Sequence, residues 1–370
     1  MERSRSWQQS RGAEPEDRRI SKMERIISED MEYISQRVDH GMIDKSRVLI
    51  SGATGLIGKY LVRFLAQYCH CLVVAAVRDL DKARGLWEDL GSSVQYIHGD
   101  ITRLEPASIG VDYVIHGAAS TSSRDFSKKP ADIIFTAVEG TRRMLEFARR
   151  NPVKGFVFLS TMEVYGAPSG ENKIDEQCGS NLDTMSARSS YPESKRLCEN
   201  LCAAYWAQYQ VPATVLRMTQ TFGPGVSYDD SRVFAEFARC VMEKREIVLH
   251  TKGETKRSYL YLADGCTAIL TAMTKGLRGQ AYNAANETTY CSIKDMAGIA
   301  AGLCQDGITV RTEPKEDVQE QFGYGPVLKM NLDTAKLQGL GWKPEICLSE
   351  MYGRMIECME REKEIERGII

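Results

Sequence analysis

Three residue patterns in this chain could do chemistry together. Tyr191-Pro192-Glu193-Ser194-Lys195 sets a phenol and an ammonium four residues apart. On a helix that is one turn, so both groups share a face. The cation is expected to lower the phenol's pKa, letting Tyr191 take a proton from a substrate hydroxyl. Upstream, Ser160-Thr161-Met162-Glu163-Val164-Tyr165-Gly166 follows the apolar run Phe156–Leu159. That places it at a strand's C-terminal end, where parallel sheets bind ligands. Near the start, Gly52, Gly55 and Gly58 form G-x-x-G-x-x-G between a strand-like and a helix-like segment. Glycine there allows a tight turn, close approach of a pyrophosphate and close helix packing, and the helix N-terminus offers N–H groups to an anion.

These groups need a scaffold, and the chain's periodicity supplies one. Arg47–Ile50 is a β-rich run, Leu56 to Tyr68 is helical in pattern, and Leu72–Val77 is a second buried strand. The alternation continues with strands at Val94–Ile97 and Tyr113–Ile115, a helix at Ile133–Arg149 and a strand at Phe156–Leu159. A helix at Ser194–Gln208 and a strand at Ala213–Leu216 follow. Alternation of this kind predicts an α/β fold, a doubly wound Rossmann-type parallel sheet. Beyond about Gly223 it weakens, which predicts a smaller mixed C-terminal lobe. The expected division is a disordered leader at 1–22, an N-terminal helix region at 23–45, a dinucleotide-binding domain at 46–220 and a substrate lobe at 221–370. Some chain from that lobe should return to the first domain. Ile26, Ile27, Met31, Ile34 and Val38 recur at helical spacing, as for a helix covering a domain edge. Met23 could serve as a natural start.

Composition narrows the partners. Across 370 residues, 48 Lys plus Arg face 50 Asp plus Glu, a net charge of -2. That balance provides no global field for nucleic acid or an acidic membrane surface. No apolar run is long enough to span a bilayer, and the N-terminus lacks a secretory h-region. The eleven cysteines are odd in number and scattered, without the spacing of a structural zinc site. They read as reduced, packed thiols of a cytoplasmic protein, with no metal expected.

The glycine spacing and the later motifs resemble the extended short-chain dehydrogenases/reductases, the NAD-dependent epimerase/dehydratase family that modifies nucleotide sugars. The resemblance runs from about Val48 to beyond Asn286. It implies cofactor contacts from Gly52, Thr54, Gly55, Leu56, Ile57, Gly58, Asp100, Ile101, Ala118, Ala119, Tyr191 and Lys195, with Lys195 holding the nicotinamide ribose. His116 of His116-Gly117-Ala118-Ala119 is expected to be structural. Val77-Arg78-Asp79 ends the second strand, where an acid favours NAD and Arg78 would favour NADP. NAD is the expected cofactor, with NADP the alternative.

Aligned on Val164-Tyr165-Gly166, Thr161 takes the place of the family's catalytic Ser/Thr. Members that eliminate water carry Thr-Asp-Glu here, and Met162 cannot donate a proton, which disfavours a 4,6-dehydratase. Glu163 is either a working acid/base or an acceptor for a sugar hydroxyl. Gln220 replaces the asparagine of L-R-x-x-N and would line the sugar site. Arg257 would clamp the substrate diphosphate, and Arg232 is a second candidate. Asp264 is expected to cap the next helix. The leading expectation is a nucleotide-sugar epimerase that oxidises a carbinol, at C4, with retained cofactor. UDP-glucuronate-type decarboxylation, NADPH-dependent ketone reduction and a non-catalytic nucleotide-binding regulator are the alternatives. A homodimer is also implied, through a four-helix bundle of the 133–149 and 194–208 helices, whose seam could include Met144, Leu145, Phe147, Leu197, Leu201, Tyr205 and Trp206.

Overall fold

Strand β1 (Arg47–Ser51) is buried at every position after the first, as its Val-Leu-Ile run requires. The computed structural model that contains it describes residues 22–104, 109–119, 128–168, 170–315 and 327–366. The 1–21 part of the expected leader lies outside these residues. Around β1 gather β2 (Leu72–Val77), β3 (Val94–His98), β4 (Tyr113–His116), β5 (Gly155–Thr161), β6 (Ala213–Met218) and β10 (Ala281–Ala284). They form one parallel sheet in the order β10-β6-β5-β4-β1-β2-β3. Helices α2 (Leu56–Tyr68), α3 (Pro130–Arg150) and α4 (Ser190–Tyr209) make the crossovers. The chain reverses direction across the sheet between β1 and β4, which opens a crevice at their C-terminal ends.

The other lobe is smaller and mixed. Strands β7 (Gln220–Phe222), β9 (Lys256–Tyr261), β11 (Asn286–Ser292) and β13 (Lys329–Met330) form a second sheet. A short parallel pair joins β8 (Ile247–Leu249) to β12 (Val310–Thr312). Helix α6 (Leu262–Lys275) is buried from Leu262 to Thr274 and packs against β5 and β6 before β10 joins the large sheet. An apolar helix of this kind is a core element on all its faces. The two lobes therefore share one continuous apolar core.

The N-terminal helix is α1 (Lys22–Ser35), followed by a single turn at His40–Ile43. Ile26, Met31 and Ile34 are buried beneath it, as their spacing requires. Two carboxylates hold it in place. Asp30, only 1% exposed, accepts hydrogen bonds from Tyr60 of α2 at 3.0 Å and Tyr261 of β9 at 2.7 Å. It also accepts one at 2.9 Å from Arg354 of α8 (Leu348–Glu366). Asp264 accepts from the Tyr33 hydroxyl and from the backbone N–H groups of Glu345 and Ile346. Asp264 was expected to cap α6, but Tyr261 occupies the N-cap position and no side chain caps it. The helix begins earlier than expected, so Asp264 falls inside its first turn and reaches outward to α1 instead.

Burial raises both carboxyls, Asp30 and Asp264, to about 6. Their native forms hold protons more tightly than the unfolded chain does. The native state therefore gains stability from these groups as pH falls from above 6 toward the ordinary carboxylate range. Replacing Asp30 with Ala strands two buried hydroxyls. The expected loss is about 3 kcal/mol in urea unfolding. Asp30→Asn should lose part of the acid-side gain in stability that the wild type shows over that pH window.

Candidate active site

The glycine loop leaves β1 at Gly52, whose φ is 77°. A Cβ there would lie 2.8 Å from the Gly117 carbonyl carbon at the end of β4. A Cβ on Gly58 would lie 2.3 Å from the Gly52 oxygen. No side chain fits at either point, so the loop lies close against Gly117-Ala118-Ala119 and opens on the N-terminus of α2. Thr54, Leu56 and Ile57 are half-buried around it, and Gly55 is exposed. This cradle fits a dinucleotide pyrophosphate.

Along the crevice, Arg78 is exposed at the end of β2. The Asp79 carboxylate accepts from Lys82 N at 3.0 Å and caps the short helix Leu80–Leu86. The Asp100 carboxylate closes its own turn by accepting from the N–H and hydroxyl of Thr102, both at 2.8 Å. The Ile101 side chain packs against Gly140 of α3, where an added Cβ would lie 3.1 Å from it.

At the end of β5, Ser160 donates to Glu199 at 2.5 Å, while Thr161 forms a hydrogen bond with the Tyr191 phenol. Thr161, not Ser160, is thus the hydroxyl beside Tyr191. Lys195 is buried and donates to the Leu159 carbonyl at 2.7 Å. Its ammonium lies 4.6 Å from the centre of the Phe158 ring and 6.0 Å from that of Tyr191. Met162 is buried, and its sulfur accepts from the Thr219 hydroxyl at 3.2 Å.

Glu163 pairs with Arg188 at 3.0 Å. Arg188 escaped the sequence reading, although it stands three residues before Tyr191 and so belongs to the same approach to the helix. A second pair behind the site joins Arg217 to Glu199 at 2.6 Å, and Arg217 also donates to the Tyr165 hydroxyl at 2.9 Å. Tyr165 donates in turn to Asn283 of β10 at 2.7 Å. That chain fixes the β5 end to the returning strand. Asn286 instead donates to the Ile346 carbonyl at 3.0 Å.

In the smaller lobe, Gln220 and Arg257 lie on adjacent strands β7 and β9. Gln220 Oε1 and Arg257 Nε are both buried without a hydrogen-bond partner among the described residues. Such atoms cost free energy unless a ligand satisfies them. Arg232 differs: its guanidinium is engaged by Asp230 in a bidentate pair, with a closest approach of 2.5 Å. Among the described residues no cluster of ligating side chains could hold a metal ion, and none of the eleven cysteines is disulfide-bonded.

The family model for NAD dependent epimerases/dehydratases matches residues 48–285, well over half of the chain. The chain belongs to the NAD-dependent epimerase/dehydratase family. It is 28% identical to UDP-glucuronic acid decarboxylase 1 of Xenopus tropicalis, over 87% of this chain and 74% of that protein. It is 26% identical to human dTDP-D-glucose 4,6-dehydratase, over 84% and 89%. Its fold matches UDP-glucuronic acid 4-epimerase from Bacillus cereus, in complex with UDP-glucuronic acid and NAD, with a TM-score of 0.71 and 21% identity. That match covers 85% of this chain and 99% of the other. No helix among the described residues is long and apolar enough to cross a membrane.

For an epimerase/dehydratase family enzyme, the electrostatics at Tyr191 are the informative part. Burial pushes the phenol well above its ordinary value, and the Glu163 carboxylate pushes it further up. The Thr161 hydrogen bond and Arg188 pull it down. The expected lowering by Lys195 does not govern this geometry, because the ammonium is turned to a backbone carbonyl. Burial brings Lys195 itself down to about 8. Glu163→Gln should therefore lower the Tyr191 pKa and shift the acid limb of the kcat–pH profile to lower pH. Arg188→Met should shift the same limb upward.

Proposed function

We propose that this enzyme oxidises a hydroxyl of a nucleotide-diphosphate sugar, at C4, to a ketone and re-reduces it on the other face, giving an epimer. The observation that carries this reading is the Thr161–Tyr191 hydroxyl pair beside buried Lys195, beyond a glycine cradle sized for a dinucleotide. Tyr191 takes the proton of the sugar hydroxyl and later returns it, while Thr161 holds the same oxygen. NAD, when bound, supplies the hydride acceptor and returns the hydride, so the cycle consumes no cofactor. Lys195 holds its ribose, and Gly52, Thr54, Gly55, Leu56, Ile57, Gly58, Asp100, Ala118 and Ala119 border it. Arg257 and Gln220 satisfy their buried polar atoms on the substrate. Arg232, already paired with Asp230, ranks below Arg257 as a diphosphate contact.

Met162 argues against water elimination. A buried thioether that accepts from Thr219 cannot serve as a general acid. A second reading is decarboxylation of a UDP-glucuronate-type sugar through the same C4 ketone. It is favoured by Glu163 at the site and by the likeness to UDP-glucuronic acid decarboxylase 1.

A homodimer through α3 and α4 is also proposed. Met144, Leu145 and Phe147 are core residues, but Phe135 of α3 is 70% exposed and Ile134, Leu197 and Tyr209 are exposed on the same helix pair. Phe135→Glu should shift the protein from dimer to monomer in light scattering.

A panel of UDP-, dTDP-, GDP- and CDP-sugars, read by NMR, tests the activity. A C4 epimer supports the first reading; carbon dioxide released from UDP-glucuronic acid supports the second; a 4-keto-6-deoxy product overturns both. Tyr191→Phe should lose at least about a hundredfold in kcat. Mass analysis of the cofactor released from purified protein should give NAD, whereas an empty site that accepts NADPH would favour net reduction.

A further inference from the structure

His116 ends β4 in the middle of the large sheet and is 1% exposed. Its neighbours across the sheet are Ser51 of β1 and Phe158 of β5. Its Nδ1 lies 2.6 Å from Ser51 Oγ and its Nε2 lies 3.0 Å from Thr141 Oγ1 of α3. The direction of each hydrogen bond follows from the Ser51 end. At one end Ala118 N–H can only donate, and it donates to Ser51 Oγ at 3.4 Å. The Ser51 hydroxyl proton is then left for His116 Nδ1. At the other end Cys198 of α4 donates its S–H to the Ala137 carbonyl at 3.3 Å. Burial raises that thiol, and the Thr141 hydroxyl beside it opposes the rise. With Nδ1 accepting from Ser51, the neutral ring carries its proton on Nε2 and donates it to Thr141 Oγ1.

One ordered chain results, running from Ala118 N–H through Ser51 and His116 to Thr141 of α3. It starts on the wall of the dinucleotide crevice and reaches α3, to which Cys198 ties the catalytic helix one turn beyond Lys195. The imidazole also sits 5.6 Å from the Phe158 ring, whose face carries the Lys195 ammonium. We propose that His116 is a positioning residue, held as the neutral Nε2–H tautomer, that locks the crevice wall to α4 and so places Lys195. Burial and the nearby Lys195 charge lower His116 to about 3, consistent with a ring that stays neutral. Glu199, Cys198 and Cys202 also face Lys195, so a second positive charge at His116 would disturb a balance already set.

The effect on rate rests on the catalytic role given to Lys195 above; the tautomer does not, and can be tested without turnover. Nitrogen-15 histidine NMR of the full enzyme, with His116→Gln to assign the signal, should show an unprotonated Nδ1 and a protonated Nε2. That signal should stay unchanged across the range where a free imidazole titrates. The Nδ1–H tautomer, or a titration in that range, would overturn the proposal. Once a substrate is in hand, Cys198→Ala should lower kcat about tenfold with KM unchanged. Cys198→Ser, which keeps a donor and an acceptor, should restore it. Wild-type kcat in the alanine variant, or serine no better than alanine, would refute the positioning role.

Discussion

The whole site depends on two backbone segments touching with no side chain between them. The end of β1 and the end of β4 approach so closely at Gly52 and Gly117 that even a methyl group would collide. The connections diverge from this point, leaving toward opposite faces of the sheet. The glycine contact keeps the crevice narrow at its base while the divergence opens it above. The groups proposed to move the proton and to hold the nicotinamide stand on its rim or on the element directly behind it. Thr161 ends β5, Tyr191 and Lys195 face β5 from α4, and Ala118 ends the wall itself.

Burial then governs the chemistry of that rim. Tyr191 and Lys195 are both nearly inaccessible, and burial moves each toward its neutral form, the phenol up and the ammonium down. A buried base that is hard to ionise is poised to respond to small local changes. Glu163 and Arg188 provide such a change, because they act on the phenol with opposite signs and are tied to each other. A substrate that separates that pair would alter the phenol's pKa in the step that needs it.

Much of this was legible in the sequence, for a local reason. The strands of the large sheet announce themselves as short apolar runs, and the glycine loop and the Tyr191/Lys195 spacing act within a few residues. What could not be read depends on partners far away in sequence. Asp264 looked like a helix cap because its neighbours fit that pattern, yet its role is set by Tyr33, 231 residues away. The Tyr191 pKa was misjudged because Lys195 has the right spacing but bonds to the Leu159 carbonyl. Arg188 carries no motif, and only the fold shows that it meets Glu163. Met144, Leu145 and Phe147 could have been seam or core by pattern alone; which side of α3 faces the sheet decides for core.

The same distinction gives α1 a meaning that its amphipathic pattern alone did not. It lies before the residues that match the family model, so the shared fold does not require it. Yet its Asp30 joins the helix after the glycine loop, through Tyr60, to the strand that carries Arg257, through Tyr261. In the function proposed above, one of those elements borders the cofactor and the other the substrate. A single carboxylate thus constrains the distance between the two halves of the site. It is a costly constraint, since a buried charge needs every one of its hydrogen bonds. Surface packing of α1 could have been had more cheaply from apolar residues. A buried carboxylate with three partners on three elements adds direction, and direction is what a site assembled between two lobes needs.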